Sequence, residues 1–124
     1  SRARLLATPD DAELHAELAD RLARRGDLEG AAGHYRKAVG RQANVAWENN
    51  LAAVLTRLGL WSEAIDHYRA ALRLEPGLVS VRFNLAAALI SVSRFDEAAT
   101  ELREVLRLAP DHADARRFLQ TLSP

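Results

Sequence analysis

The sequence predicts an all-α protein, built as a solenoid of three stacked helix–turn–helix repeats with a capping helix at the C-terminal end. Three observations predict it. The same motifs recur at intervals of 33 and 34 residues, each interval holds two stretches with helical apolar spacing, and glycine or proline separates most of these stretches. A unit of this kind cannot bury its apolar face alone, so neighbouring units must stack around one continuous core.

Recurring motifs set the register of the units. The motif Leu-Arg-Leu, then any residue, then proline, ends at Pro76 and again at Pro110, 34 residues further on. The motif His-Tyr-Arg occurs at residues 34–36 and 67–69, an interval of 33. We therefore divide a single domain of residues 1–124 into the remnant of a preceding helix at 1–9, units at 12–44, 45–78 and 79–112, and a capping helix at 113–122.

The turns and helix ends follow from particular residues. The first helix of the second unit is expected to end at Gly59, because glycine adopts a left-handed conformation without steric cost. Ser62 is placed to cap the second helix of that unit, which is expected to bury Leu74, and the next unit is expected to bury Phe95. Ser93 stands where the third unit would have its glycine, so a left-handed backbone there should be strained.

Composition limits the function classes. The chain has 17 basic and 17 acidic residues, and this neutral balance argues against a nucleic-acid binder that works through phosphates. The absence of cysteine excludes disulfides, thiolate metal sites and a cysteine nucleophile. No apolar run approaches the roughly 20 residues of a membrane span, and no nucleophile–base pair or phosphate-binding loop stands out. We expect no enzyme activity, no cofactor and no direct membrane insertion, and favour the cytoplasm.

At fixed repeat positions the chain resembles the tetratricopeptide repeat family, and the resemblance covers essentially its whole length. The matching features are the 34-residue period, leucine at position seven, glycine at the turn, a small residue at position twenty and proline near the end of the unit: Leu18, Leu51, Leu85, Gly26, Gly59, Ala31, Ala64, Ala98, Pro76 and Pro110. The resemblance implies a right-handed superhelical solenoid. Its concave side is lined by the first helix of each unit and holds peptides or protein segments.

The groove positions of that family can be carried over one by one. They give a groove that is acidic at one end, amide-rich in the middle and partly apolar at the other end: Glu13, Ala16, Glu17, Asp20, Arg24, Asn49, Asn50, Ala53, Thr56, Arg57, Ser80, Phe83, Asn84, Ala87, Ile90 and, from the capping helix, Arg117. The residues that we expect to contact a partner are Asn49, Asn50, Arg57, Phe83, Asn84, Asp20 and Arg24.

Two kinds of groove residue carry the functional hypothesis. Asn50 and Asn84 both occupy the sixth position, and an amide both donates and accepts hydrogen bonds, which suits an extended peptide backbone. Asparagines at this position grip peptides in other members of the family. The alternative is that they bind only water or neighbouring side chains. Phe83 either anchors an apolar side chain of the partner or is covered by the capping helix.

A second kind of family site is not expected. Members that dock the acidic C-terminal tail of heat-shock chaperones use lysines, an arginine and asparagines on this face. The corresponding positions hold Ala16, Asp20, Ser80 and Asn84 here, and only Asn50 matches. Acids near the site would repel a carboxylate.

Four histidines raise the question of a metal site. His34 and His67 recur at the same position of the second helices, which we expect to face outward, and His15 and His112 are isolated in the sequence. The recurrence of the first two is explained by the repeat itself, and their spacing is not that of a zinc site. We expect no bound metal.

The leading hypothesis is a protein- or peptide-binding scaffold within a larger protein or complex, since the chain begins at Ser1 and lacks methionine. One alternative is self-association into a homo-oligomer, because Leu5 and Leu6 would present an apolar surface. Another is a non-catalytic repeat appendage of an enzyme such as a membrane glycosyltransferase. An RNA-reading helical repeat is opposed by the neutral charge.

The second helix of the first unit is predicted to be the least stable of the three second helices. It contains Gly30, Gly33 and Gly40, and each glycine costs up to about 1 kcal/mol relative to alanine in a helix. Hydrogen exchange should therefore find its amides less protected than those of the corresponding helices. Uniform protection across the three would contradict the prediction.

Overall fold

The computed structural model describes residues 11–122, and within that range the chain forms seven α-helices and no strand. The all-α prediction is therefore confirmed. The predicted remnant helix at residues 1–9 lies outside the described residues. In chain order the helices are α1 (Ala12–Arg24), α2 (Leu28–Arg41), α3 (Val45–Arg57), α4 (Trp61–Leu74), α5 (Val79–Ser91), α6 (Phe95–Leu108) and α7 (Ala113–Leu122).

The helices repeat in length and in the neighbours on which they pack. The helices α1, α3 and α5 have 13 residues each, and α2, α4 and α6 have 14 each. Each of them packs most closely on the other helix of its pair, and each second helix also packs on the first helix of the next pair. The last helix, α7, packs on α6. A solenoid has this arrangement, because each unit meets only the units beside it.

Side chains cap the first three helices. The Oδ1 atoms of Asp11, Asp27 and Asn44 accept hydrogen bonds from the backbone N–H groups three residues further on, at 3.0, 2.9 and 3.0 Å. Each bond satisfies one of the N–H groups that a helix start leaves without an intrahelical acceptor. The first unit is therefore well capped despite the glycines in its second helix.

A left-handed residue ends each first helix. Gly26, Gly59 and Ser93 have φ values of 86°, 76° and 62°, which confirms the expectation at Gly59 and the strained backbone at Ser93. In all three turns the next residue donates its N–H to the carbonyl oxygen five residues earlier, at 2.8, 2.9 and 2.9 Å. This bond defines the Schellman motif, which closes one helix and directs the chain into the next.

The same turn explains why the cap predicted at Ser62 is wrong. Leu60 is the residue that donates back to Leu55, and α4 begins directly after it, at Trp61. Ser62 therefore lies inside the first turn of the helix, and Leu60, at the cap position, forms no side-chain cap bond. The backbone of the turn, rather than a polar side chain, starts this helix.

Alanine at position twenty lets the two helices of a unit approach closely. Ala31, Ala64 and Ala98 are each 0% exposed, and a small side chain at a helix crossing shortens the distance between the axes. Larger apolar side chains fill the space around these contacts. The largest fully buried ones are Leu51, Leu55, Ile65, Leu85, Leu89, Leu102 and Val105.

Two apolar side chains that were predicted to be buried are exposed. Leu74 is 44% exposed and Phe95 is 47% exposed. Leu74 is the last residue of α4 and Phe95 is the first residue of α6. Helical periodicity assigns both to an apolar face, but at a helix end that face extends past the neighbouring helix that would cover it.

Ion pairs join the second helices of neighbouring units. Arg36 donates two hydrogen bonds to the carboxylate of Glu63, at 2.7 and 2.8 Å, and Arg69 donates one to Glu97 at 3.2 Å. The hydrogen bonds from Arg36 hold the pKa of Glu63 below its ordinary value. All four side chains are at least a third exposed, so each pair adds little to stability and serves mainly to align the units.

The short helix α7 closes the C-terminal end of the stack. Ala115 is fully buried, and Leu119 and Leu122 are half-buried against the core. Nδ1 of His112 accepts a hydrogen bond from the Ala115 N–H at 3.1 Å and so caps the helix. As its amphipathic pattern predicts, the outer face is polar and exposed, with Asp114, Arg116, Arg117 and Gln120.

Replacing Ser93 by glycine is expected to raise the free energy of unfolding by about 1 kcal/mol, because glycine adopts the left-handed conformation without a steric penalty from Cβ. Chemical denaturation followed by circular dichroism measures the change. Ser91→Gly is the matched control, since Ser91 is exposed in the last turn of α5, and glycine there should cost up to about 1 kcal/mol. A loss of stability in Ser93→Gly would contradict the argument.

Candidate functional site

Predicted groove residues of the first two units line one cleft, which we call the first cleft. It has a volume of about 390 Å³ and lies between α1 and α3, with a wall from α2. Four predicted groove residues of the first unit meet the predicted groove residue Asn50 of the second unit here. The complete lining is Glu13, Ala16, Glu17, Asp20, Tyr35, Ala46, Trp47 and Asn50.

The first cleft combines carboxylates with aromatic rings. Burial raises the pKa of Tyr35, and the charge of Asp20 raises it further. The polar side chain of Asn50 and the charge of Arg24 act in the opposite direction on that pKa. Asn50 lies beside the tyrosine in the lining of the cleft and is exposed. The cleft therefore places carboxylates, aromatic rings and an amide around one cavity.

Asp20 and Arg24, both predicted site residues, form an ion pair on the exposed surface of α1. The distance from the Arg24 guanidinium to the Asp20 carboxylate is 2.8 Å, and the side chains are 78% and 48% exposed. A pair this exposed contributes little to stability. Both charges therefore remain able to exchange partners.

A second cleft lies between the N-terminal ends of α3 and α5. Its volume is about 500 Å³, and it brings the predicted groove residues Asn49 and Ser80 together. The Oδ1 atom of Asn49 is buried and accepts no hydrogen bond within residues 11–122. A buried acceptor without a donor is costly and is expected to find one when it can. The remaining lining is Asn44, Val45, Ala46, Glu75, Leu78 and Val81.

The other groove residues of the second and third units differ in how far they are engaged. Asn84 and Arg57 are exposed. The hydroxyl of Thr56 donates to the Ala52 carbonyl oxygen at 2.8 Å and lies 3.4 Å from the hydroxyl of Tyr68. Thr56 is thus largely committed inside the unit, whereas Asn84 and Arg57 project from their helices into open surface.

Phe83 lies against the C-terminal cap. Its ring centre is 4.9 Å from that of His112 and 5.2 Å from that of Phe118 on α7, with both rings tilted relative to it. The side chain is half-buried and packs on a small second core that contains Ala115. The structure therefore shows that Phe83 packs on the capping helix. Its role in partner binding stays a prediction.

The histidines are not placed as the sequence suggested. His34 and His67 face the first helix of their own units rather than solvent. Nδ1 of His34 lies 2.9 Å from Nδ1 of His15, and Nδ1 of His67 lies 2.7 Å from Glu48. His15 is therefore not isolated, and His112 contacts Phe83. The sequence contained a sign of this pairing, because positions four and twenty-three are polar in every unit.

These side chains do not converge on a metal site. Within residues 11–122, no group of three or more histidine or acidic side chains is placed to hold a metal ion. In the same range, none of the helices combines the length and apolar character needed to cross a membrane.

A profile described as "Tetratricopeptide repeat" matches residues 55–122, and a second profile with the same description matches residues 1–46 and 17–79. Together they cover far more than half of the chain. No curated protein sequence matches it.

Several solved structures have the same fold. The MamA protein aligns with a TM-score of 0.83 and 21% identity over 90% of this chain and 61% of its own, so this chain spans less than two thirds of its length. The tetratricopeptide repeat domain of Arabidopsis OM64 aligns with a TM-score of 0.77 and 23% identity, over 90% of this chain and 93% of its own. The first tetratricopeptide repeat domain of Spaghetti (RPAP3), bound to the HSP90 peptide SRMEEVD, aligns with a TM-score of 0.75 and 22% identity, over 91% of this chain and 93% of its own.

Truncating Phe83 to alanine is expected to loosen the C-terminal cap. Removing a half-buried ring should lower the free energy of unfolding by about 2 kcal/mol, less than the cost for a fully buried phenylalanine, and should reduce hydrogen-exchange protection in α7. Phe95→Ala is the control, because that ring is 47% exposed and its loss should cost under about 1 kcal/mol. Equal costs for the two substitutions would show that the contacts of Phe83 with the cap carry no stability.

Proposed function

Because the chain belongs to the tetratricopeptide repeat family, we propose that it is a protein-interaction module that binds an extended peptide or protein segment along its first helices. The observation that carries the proposal is the first cleft, where α1, α2 and α3 place carboxylates, aromatic rings and Asn50 around one cavity. Its role is binding rather than catalysis.

Contacts for the partner are proposed at both clefts and on the exposed surface beyond them. Asn49 is half-buried in the second cleft, and its buried Oδ1 would accept a hydrogen bond from a partner only after the side chain turns outward. Asn50 and Asn84 offer exposed amides on successive first helices. Amide groups pair with a peptide backbone whatever its side chains, so these three would fix the path of the segment more than its sequence. The proposed contact set is Asn49, Asn50, Arg57, Phe83, Asn84, Asp20 and Arg24.

Charge argues against an acidic tail as the partner. The peptide bound by the repeat domain of Spaghetti, SRMEEVD, carries three acidic residues near its end. In this chain Ala16 and Asp20 stand at the positions where clamps for such tails have cationic or amide groups, and Ala16 is 8% exposed. Among residues 11–122, no lysine or arginine lines the first cleft, so it offers no cation to the carboxylates of such a tail. A neutral or basic segment fits better.

The test is an affinity capture from lysate of the source cell, comparing the unaltered chain with the Asn50→Ala/Asn84→Ala double variant by mass spectrometry. The double variant is expected to lose the partner while its helicity is unchanged, because both amides are exposed. With the captured protein in hand, calorimetry should show an affinity weakened about tenfold or more, which corresponds to one kcal/mol or so for each lost hydrogen bond.

The control removes two exposed amides elsewhere. Gln42→Ala/Gln120→Ala changes one residue after α2 and one on the outer face of α7, and this variant should bind as the unaltered chain does. An affinity that is the same for all three proteins would remove the asparagines from the proposed site. Recovery of the chain alone would instead favour self-association.

A further inference from the structure

One polar side-chain pair joins the two helices of each unit at the same place. In every unit it links position four of the first helix to position twenty-three of the second helix, 19 residues later. In the first unit, Nδ1 of His15 lies 2.9 Å from Nδ1 of His34. In the second unit, Oε2 of Glu48 lies 2.7 Å from Nδ1 of His67. In the third unit, a guanidinium nitrogen of Arg82 lies 2.7 Å from Oε1 of Glu101. The same position in the fold is therefore occupied by a different kind of side-chain pair in each unit.

The histidine pair has one arrangement of protons that satisfies it. Two ring nitrogens 2.9 Å apart form a hydrogen bond only when one carries a proton and the other a lone pair. Nε2 of His15 is buried and has no partner within residues 11–122, and buried N–H groups are rarely left without an acceptor. The proton of His15 therefore lies on Nδ1, from which it is donated to Nδ1 of His34. The rings are stacked, with their planes 25° apart.

An added proton removes this arrangement. A proton on Nδ1 of His34 either faces the Nδ1–H of His15 or forces His15 into the tautomer that buries its Nε2–H without an acceptor. In both cases it adds a positive charge inside the helix pair. Burial, the neighbouring His15 and the ammonium group of Lys37, in that order, hold the pKa of His34 below its ordinary value. The buried carboxylate on the adjacent helix α3 belongs to Glu48, and His67 already binds it, so that carboxylate is not available to the histidine pair.

The corresponding pairs of the other two units each contain a carboxylate. His67 meets the carboxylate of Glu48, and Glu101 accepts a hydrogen bond from the guanidinium of Arg82. A carboxylate only accepts hydrogen bonds when it is ionised, so it does not oppose an N–H group on the other helix. The conflict between two ring N–H groups is therefore specific to the first unit.

We propose that the first unit is an acid-sensitive element of the stack, in which protonation of the His15–His34 pair separates α1 from α2 while α3 to α6 stay folded. In a solenoid each unit contacts only the units beside it, so one unit can lose its internal packing while the others stay folded. Opening would remove α1, and with it Glu13, Ala16, Glu17 and Asp20, from the first cleft. The proposal stands independently of what the cleft binds.

The pH window follows from the direction of the shift. The folded unit binds fewer protons at His34 than the unfolded chain does, so its stability falls as the pH falls. The contribution is fully present above the ordinary imidazole pKa of about 6.5. It is lost as the pH drops through the lowered pKa of His34.

Amide hydrogen exchange of the full chain at about pH 7.5 and about pH 5, on either side of the imidazole range, tests the proposal. Protection in α1 and α2, taken relative to α5 and α6, which contain no histidine, should fall at the lower pH. The expected factor is about ten for each pH unit that separates the folded and unfolded pKa values. An unchanged ratio would overturn the proposal. His112, which caps α7, is read separately because it acts at the opposite end.

Substitutions that copy the second unit sharpen the test. His15→Glu gives the first unit the chemistry of the second, and acid should then no longer lower the protection of α1 and α2. His34→Gln removes the titrating group at a half-exposed position and should make the protection ratio independent of pH. This variant tests the proposal even if His15→Glu, at a buried position, fails to fold. His67→Gln, the control in the second unit, should leave the response of α1 and α2 unchanged. An acid response that survives His34→Gln would also overturn the proposal.

Discussion

The left-handed residue after each first helix is the constraint on which the rest of the structure depends. At Gly26, Gly59 and Ser93 it allows a backbone hydrogen bond that reverses the chain within three residues. Because the reversal is the same in every unit, the second helix returns to pack on the first, and the alanine at position twenty is fully buried there. The inter-unit ion pairs and both clefts follow from that repetition. Ser93 adopts this conformation at a steric cost, which shows that the surrounding packing, and not the local preference of the residue, determines the turn.

Much of the fold is encoded in the period of the sequence, and the site is encoded only in part. The glycine turns and the polar face of the last helix were predictable because they are local. Ser62, Leu74 and Phe95 were misjudged because a helix end depends on neighbours that periodicity does not describe. The same limit applied to His34 and His67, whose helix was predicted correctly while their partners were not. Among the groove residues, adjacency across the first cleft could be expected from the family, but the presence of Tyr35 in its wall and the unpaired oxygen of Asn49 depend on atomic positions.

The polar residues at the clefts differ in their surroundings from the polar pairs at positions four and twenty-three. The charged residues at the clefts are exposed or half-exposed, and the charge at these positions differs from unit to unit. The pairs at positions four and twenty-three are enclosed between helices, so each change on one side requires a compatible change on the other. The sequence shows such matched changes: histidine with histidine, glutamate with histidine, arginine with glutamate. The residues proposed for recognition and the pairs that hold each unit together are thus different residues of the same helices.

The packing of each helix on its neighbours in the chain also has a kinetic consequence. Nearly every close approach between helices joins segments that follow one another directly, so little chain must be brought together before contacts form. Proteins with such local topology fold in microseconds to milliseconds. Folding of this chain can begin in any unit that forms its own turn and spread outward, and the second unit, which has a glycine turn and a neighbour on each side, is the natural starting point. A nascent chain of this design would acquire stable structure before its last helix has been synthesised.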